Sequence, residues 1–95
     1  MHYIVHCLDY EGKVQDRLDH YEAHKAYLSS NPIKMVISGP LLAEDETTMI
    51  GSCFLVEADS IEEVVKYHEN DPFYRAGIWE KVSIHPFNKR VDNRS

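Results

Sequence analysis

The side chains best suited to chemistry in this chain are His24 and Asp71, which lie far apart in sequence. Asp71 precedes Pro72, whose fixed φ favours the first position of a helix and holds the preceding residue in an extended conformation. Aspartate is a common N-cap residue, and the helix dipole there favours an ionised carboxylate. We therefore predict that Asp71 caps one short helical turn that Gly77 ends. Alone, this pattern is typical of a simple capped turn, so a function requires a partner such as His24.

Arg17 and His24 are the candidates for chemistry on the first predicted helix. Seven residues correspond to two helical turns, which leaves the two side chains within about 20° of one direction and roughly 10 Å apart along the axis. Both flank the apolar positions Leu18 and Tyr21, so both can lean over the rim of a cleft against the sheet. The simpler alternative is two polar side chains that extend to solvent at the edge of the helix.

His20 and His24 raise the alternative of a metal site, because a separation of four residues places two histidines on one helical face. Glu22 lies midway between them, whereas the metalloprotease motif requires a glutamate directly after the first histidine, and no third ligand is marked. We therefore predict no metal ion. The other histidines show no such pairing and are interpreted as surface or packed residues: His2, His6, His68 and His85.

Composition limits the class of protein. Hydrophobic residues at 43% and charged residues at 27% are ordinary globular values, so we predict one domain over residues 1–95 with a polar tail from about residue 88. The net charge of −6 argues against a nucleic-acid partner. No apolar run approaches the roughly 20 residues of a membrane span, and the first residues lack a signal-peptide pattern. Cys7 and Cys53 lie in apolar stretches and are predicted to be free thiols of a cytoplasmic protein.

Hydrophobic periodicity predicts four strands. In chain order they span Tyr3–Leu8, Ile33–Ser38, Met49–Glu57 and Trp79–Phe87. The second is expected to stop at Gly39-Pro40. Gly51-Ser52, inside the third, is expected to form a bulge or a site of close backbone approach.

Two helices separate these strands. The first begins at Val14, and Ser29-Ser30-Asn31-Pro32 closes it because a helix rarely continues through proline. Its predicted apolar face consists of Val14, Leu18, Tyr21 and Leu28. The second begins at the capping box that starts with Ser60 and fades into Asn70-Asp71-Pro72.

The resulting order, β-α-β-β-α-β, predicts an α+β ferredoxin-like fold. Right-handed crossovers would place both helices on one face of an antiparallel sheet. The opposite face is then bare and half apolar. We therefore predict a homodimer that buries sheet against sheet, over roughly 800 Å² per partner.

Taken together, the chain resembles the YCII (YciI-like) family from Tyr3 to about Lys89. The order and spacing of these residues carry the resemblance: Asp9, Arg17, His24, Ser38-Gly39-Pro40, Gly51-Ser52, Asp71-Pro72-Phe73, Gly77 and Pro86-Phe87. It implies a small ferredoxin-like protein that forms a dimeric α+β barrel. Most members of the family have no known function, and the characterised activity is dehydrochlorination of a chlorinated hydroxyhydroquinone without a cofactor.

The resemblance implies that His24 and Asp71 form a dyad that initiates catalysis, with Pro72 orienting the dyad. Physical chemistry supports such a role, because neutral histidine accepts a proton near pH 7 with little tuning. An ionised Asp71 bonded to one ring nitrogen would fix the tautomer and stabilise the imidazolium once it forms.

The resemblance further implies that Arg17 and Ser52 form an oxyanion hole, which Asp9 supports. Hydrogen-bond donors at that place stabilise a phenolate or enolate oxygen as its charge develops. Asp9 would hold Arg17 in place rather than react. Such a set suits proton abstraction from an acidic hydroxyl, followed by loss of a leaving group. The connection 41–49 is expected to border the pocket.

The sequence is compatible with three functions. The first is a cofactor-independent lyase of the dehydrochlorinase type, acting on a small hydroxylated and chlorinated aromatic compound. The second is a proton-transfer isomerase of a lactone or dienol, which would use the same base and oxyanion hole. The third is a dimeric binding or accessory protein that holds an oxyanion ligand without turning it over. The expected partners are a small-molecule substrate and a second copy of the chain.

Overall fold

The elements follow the predicted order. A computed structural model describes residues 1–30 and 33–94. Its elements are β1 (His2–Asp9), α1 (Val14–Ser29), β2 (Lys34–Leu42), β3 (Met49–Glu57), α2 (Ile61–Glu69), α3 (Pro72–Arg75) and β4 (Trp79–Phe87). The short helix α3 is the turn predicted after Asp71, and residues 88–94 continue beyond β4 without regular secondary structure.

The four strands form one antiparallel sheet in the order β2-β3-β1-β4, which confirms the α+β ferredoxin-like fold. β1 and β3 therefore lie at the centre and β2 and β4 at the edges. In this register Cys7 of β1 lies opposite Ser52 of β3 on one side and Val82 of β4 on the other. The register thus places Ser52 on the same face of the sheet as the buried Cys7.

The core lies on the helix side of the sheet. Central strands bury alternate residues, which on β1 and β3 are Tyr3, Val5, Cys7, Phe54 and Val56. The helices α2 and α3 and the residues at the start of β4 contribute further core residues: Val64, Tyr67, Phe73, Ile78 and Trp79. Two of these core residues, Phe54 and Phe73, also line the main pocket.

The predicted end of β2 is wrong. The strand does not stop at Gly39-Pro40 but continues to Leu42, with Pro40 opposite Ser52 in the register. β2 is an edge strand, so the missing N–H of proline breaks no ladder where it faces outward. The extension brings Pro40 to the border of the pocket.

Helix α1 begins at Val14 as predicted and ends at Ser29, whose successor Ser30 donates its backbone N–H to the Tyr27 carbonyl at 3.1 Å. Asn31 and Pro32, which were predicted to close the helix, lie outside the described residues.

The predicted apolar face of α1 is not its buried face. Val14, Leu18 and Tyr21 are 41%, 56% and 50% exposed, whereas Arg17 and His24 are buried. The polar pair is directed inward because each side chain finds a buried carboxylate there. Leu18 and Tyr21 border a pocket instead of the core.

Gly51 allows β1 and β3 to approach closely. A Cβ atom at this position would lie 2.2 Å from the Cys7 carbonyl oxygen, so alanine would force the two central strands apart. We expect Gly51→Ala to destabilise the fold by about 1–3 kcal/mol, or roughly 4–8 °C in Tm for each kcal/mol. Gly39→Ala is the matched control, because a Cβ there meets nothing within 4 Å. Thermal unfolding of both variants with the same Tm would contradict this expectation.

The face of the sheet away from the helices carries a row of apolar residues. The register aligns Ile37, Leu55 and Ile4 across three strands and places His85 next in line. Ile37 is 49% exposed, and Ile4 and Leu55 are half-buried. Within residues 1–30 and 33–94, no helix is long and apolar enough to cross a membrane.

Candidate active site

A pocket of about 360 Å³ opens between α1 and the β2–β3 half of the sheet, with one side chain contributed by α3. Three polar residues from different elements meet at its wall, namely Arg17 and His24 of α1 and Ser52 of β3. Each is at most 7% exposed. The pocket therefore presents a few buried polar groups within an apolar lining, which is the usual composition of a small-molecule site.

Asp71 is positioned by the start of α3. Its extended backbone (φ −69°, ψ 134°) precedes Pro72 at the first helical turn, and its Oδ1 accepts a hydrogen bond from the Phe73 N–H at 2.8 Å. Gly77 adopts φ +69°, the left-handed conformation that ends a helix, as predicted. The carboxylate is 1% exposed, so it is fixed both by its cap and by burial.

The same Asp71 oxygen contacts His24. The distance from His24 Nδ1 to Asp71 Oδ1 is 2.8 Å, within the range expected for the dyad. Because an ionised carboxylate only accepts hydrogen bonds, Nδ1 is the donor and carries a proton. Nε2 is then the nitrogen left to accept a proton at the pocket that His24 lines.

Arg17 is held by two other elements. Its Nε and Nη2 donate to the two carboxylate oxygens of Asp9, at 2.5 and 3.0 Å, in a bidentate pair. Both side chains are nearly fully buried. Nη2 also donates to Ser52 Oγ at 2.8 Å. Because Ser52 accepts this bond, its own hydroxyl proton is free to be donated to a ligand in the pocket.

The structure thus brings together His24 with Asp71, and Arg17 with Ser52 and Asp9, at one pocket. Their catalytic roles stay a prediction.

Sequence reasoning did not identify the apolar part of the pocket lining. Leu18 and Tyr21 were predicted only as part of the apolar face of α1, yet they line the pocket. An apolar stripe on a helix has the same period whether it faces a core or a ligand, so no signal in one sequence separates the two. Pro40 of β2 and Met49 at the start of β3 also line the pocket. Of the connection 41–49, which was expected to border the pocket, Met49 is the residue in its lining.

His20 lies apart from this arrangement. Its Nδ1 is 2.9 Å from the Asp16 carbonyl oxygen of its own helix, and it is not among the residues lining the pocket. In the described part of the chain, no group of three or more His, Cys, Asp or Glu side chains is placed to hold a metal ion. Independence from metal stays a prediction to be tested by chelation.

Cys7 lies directly opposite Ser52 in the sheet and is fully buried. Burial, and secondarily the negative charge of Asp71, raises the pKa of the Cys7 thiol to about 12. At pH 8 only about 10⁻⁴ of this thiol is ionised, whereas an ordinary cysteine is ionised to about one quarter.

We expect Cys7 to be unreactive in the folded protein. In a Cys53→Ser variant, which leaves Cys7 as the one cysteine, a thiol-reactive disulfide at pH 8 should react at least about 10³-fold more slowly than with free cysteine. One thiol per chain should react promptly in guanidinium chloride. Rapid labelling without denaturant would show that β1 and β3 open readily at the site.

Fold and geometry define a small α+β protein with a ferredoxin-like sheet, in which a buried His–Asp pair and a buried Asp–Arg–Ser set border one pocket. The particular family follows from comparison with known proteins. The YCII-related domain matches residues 1–88, and the chain belongs to this family.

The chain is similar to bacterial proteins and to a solved enzyme structure over most of its length. Protein YciI of Escherichia coli O6:H1 is 29% identical over 96 residues, which cover 94% of this chain and 98% of that protein. An uncharacterised protein of Haemophilus influenzae is 25% identical over the same shares. Among solved structures, 5-chloro-2-hydroxyhydroquinone dehydrochlorinase (TftG) of Burkholderia phenoliruptrix, in complex with 2,5-dihydroxybenzoquinone, has a TM-score of 0.83 at 34% identity, covering 93% of this chain and 94% of the enzyme.

Proposed function

We propose that this protein is a cofactor-independent lyase of the dehydrochlorinase type, acting on a small hydroxylated and chlorinated aromatic compound such as a chlorohydroxyhydroquinone. The observation that carries the proposal is the 2.8 Å contact of His24 Nδ1 with Asp71, at a pocket also lined by Arg17 and Ser52. Similarity to the dehydrochlorinase of Burkholderia phenoliruptrix over almost the whole chain supports the choice of reaction.

The reaction would begin with His24 as general base. With Nδ1 bonded to Asp71, Nε2 accepts the proton of a ring hydroxyl, and the carboxylate stabilises the resulting imidazolium. An acidic phenol suits this base, because a neutral imidazole accepts a proton near pH 7. Burial of Asp71 strengthens its effect, because little water screens the charge.

The phenolate oxygen would be stabilised by Arg17 and Ser52. Ser52 accepts a hydrogen bond from the guanidinium and can therefore direct its own proton at the oxyanion. Asp9 fixes the plane of the guanidinium through its bidentate contact. These donors are placed before substrate binds, so no reorganisation accompanies charge development.

Loss of chloride would follow without an external oxidant. The ring takes up a proton at the carbon that bears chlorine as the deprotonated hydroxyl becomes a carbonyl. A second hydroxyl then loses its proton, and the C–Cl bond breaks with its electron pair leaving on chloride. The net change is loss of HCl, and the ring reaches the quinone level because chloride removes the two electrons.

Chloride release from 5-chloro-2-hydroxyhydroquinone under anaerobic conditions tests the proposal. We expect one chloride and one quinone per substrate consumed, measured by ion chromatography and absorbance, in the presence of a chelator. Hydroxyhydroquinone without chlorine is the matched control and should bind without reacting. Tight binding of both compounds with no chloride released above the uncatalysed rate would instead support a binding or accessory protein.

We also propose that the protein is a homodimer in which the exposed face of the sheet is covered by a second copy. The row Ile37–Leu55–Ile4 is the feature that supports this arrangement, because partly exposed apolar residues there gain from being covered. The proposed partners are thus a small-molecule substrate and a second chain. The two free cysteines favour a cytoplasmic location, which stays a prediction.

Light scattering at micromolar concentration should give about twice the 11.0 kDa mass of the chain. Leu55→Lys should convert the protein to a monomer, since a charge at the centre of the row would be buried without a partner. Val65→Lys is the control, because Val65 lies on α2, on the other side of the sheet, and is already 36% exposed. A wild-type mass near one chain would contradict the dimer.

A further inference from the structure

Phe73 lies at the centre of the site, although the reaction proposed above gives it no part. It is 1% exposed and lines the pocket. Its ring stacks on the His24 imidazole with centroids 3.9 Å apart and planes inclined by 3°. The Arg17 guanidinium carbon lies 5.1 Å from the centroid of the same ring. One aromatic ring therefore contacts both the proposed base and the proposed oxyanion donor.

The other rings around His24 are arranged differently. The Phe54 ring lies 6.1 Å away at an inclination of 48°, and the Trp79 ring lies 6.4 Å away at 81°. Edge and tilted contacts of this kind are typical of ordinary aromatic packing. Of the three neighbours, Phe73 is the one that presents its face parallel to the imidazole.

We propose that Phe73 is a positioning residue that holds the His24 imidazole and the Arg17 guanidinium in a fixed relative orientation. This inference rests on the proposed function. The hydrogen bond from Nδ1 to Asp71 and the covalent attachment at Cγ hold two points of the imidazole, but they still permit small rotations of the ring plane. A parallel face at 3.9 Å removes these rotations, so Nε2 keeps one direction towards the substrate.

The backbone links this ring to the dyad. Asp71 Oδ1 accepts hydrogen bonds from both His24 Nδ1 and the Phe73 N–H, each at 2.8 Å. Pro72, between them, has a fixed φ. The carboxylate that contacts Nδ1 and the ring that stacks on the imidazole therefore come from one tripeptide, 71–73. Their relative geometry is set by the cap of α3 rather than by flexible side chains.

Phe73→Leu removes the flat face while keeping an apolar side chain. We expect kcat for 5-chloro-2-hydroxyhydroquinone to fall about 10- to 100-fold, because small misplacements of reacting groups have effects of this size, with KM changed less than about threefold. Phe54→Leu is the matched comparison, as Phe54 is equally buried and lines the same pocket. It should change KM more than kcat. If Phe73→Leu does not fold, Phe73→Met takes its place, because methionine also removes the flat face and stays apolar.

Nuclear magnetic resonance of the His24 ring gives a readout that needs no turnover. The Nδ1–H proton should be sharp and protected in the wild type and in Phe54→Leu. In Phe73→Leu it should exchange faster and broaden, while the amide spectrum stays that of a folded protein. If the wild type releases no chloride, the proposed function fails, and this signal still decides the role of Phe73. An unchanged Nδ1–H signal in Phe73→Leu, or a kcat within threefold of wild type, would overturn the inference.

Discussion

Replacing His24 by alanine should lower kcat/KM for the chlorinated hydroxyhydroquinone by about 10²–10⁴-fold, the usual contribution of a positioned general base. The imidazole is the group at the pocket with a free nitrogen and a carboxylate partner, since its Nδ1 is bonded to Asp71 at 2.8 Å. Arg17 does not substitute for it, because a guanidinium stays protonated and cannot accept a proton. Chloride release measured at saturating and limiting substrate would separate the loss in kcat from any change in KM.

His20→Ala is the control for this variant. His20 lies one helical turn before His24 on α1, but its ring contacts the helix backbone and does not line the pocket. We expect activity within about twofold of wild type. Equal losses in the two variants, restored by zinc, would instead indicate that both histidines bind a metal ion. A chelator that abolishes wild-type activity would support the same conclusion.

The fold was predictable because the local sequence pattern of each element agrees with the place of that element in the overall fold. The strand at Met49–Glu57 and the helix start at Val14 have the bounds expected from periodicity, and the Ser60 hydroxyl caps α2 by accepting from the Glu63 N–H at 3.3 Å. The end of β2 was not predictable, because proline is excluded from central strands but tolerated at an edge. Which strand is an edge depends on the order of the sheet, which periodicity alone does not contain.

The sequence indicated which polar residues meet at the pocket but not which residues of α1 are buried, and the roles of the polar residues stay a prediction. The proline after Asp71 marks a capped turn from sequence alone, and the family resemblance joins that turn to His24. Periodicity, however, predicts that Leu18 and Tyr21 are buried, whereas Arg17 and His24 are the buried residues of α1. A helix buries polar residues when partners from distant strands and turns satisfy them, and such partners lie outside any local window.

Asp71→Asn is expected to remove the negative charge of the dyad while keeping the hydrogen bonds that fix its geometry. The same Oδ1 accepts from His24 Nδ1 and from the Phe73 N–H, so the asparagine side chain must place its carbonyl oxygen, not its amide group, at that position. The cap of α3 and the tautomer of His24 then persist, because asparagine caps helices as well as aspartate does. What is lost is the negative charge that stabilises the imidazolium.

Losing the charge that stabilises the imidazolium is expected to lower kcat by about 10²–10⁴-fold, or roughly 3–5 kcal/mol in the transition state. We expect Asp71→Asn to show this loss with a Tm close to that of the wild type. Asp71→Ala is the matched comparison, because it removes the cap as well and should also be destabilised by about 1 kcal/mol. Wild-type kcat in the asparagine variant would mean that Asp71 serves only to cap α3, and that His24 acts without an acidic partner.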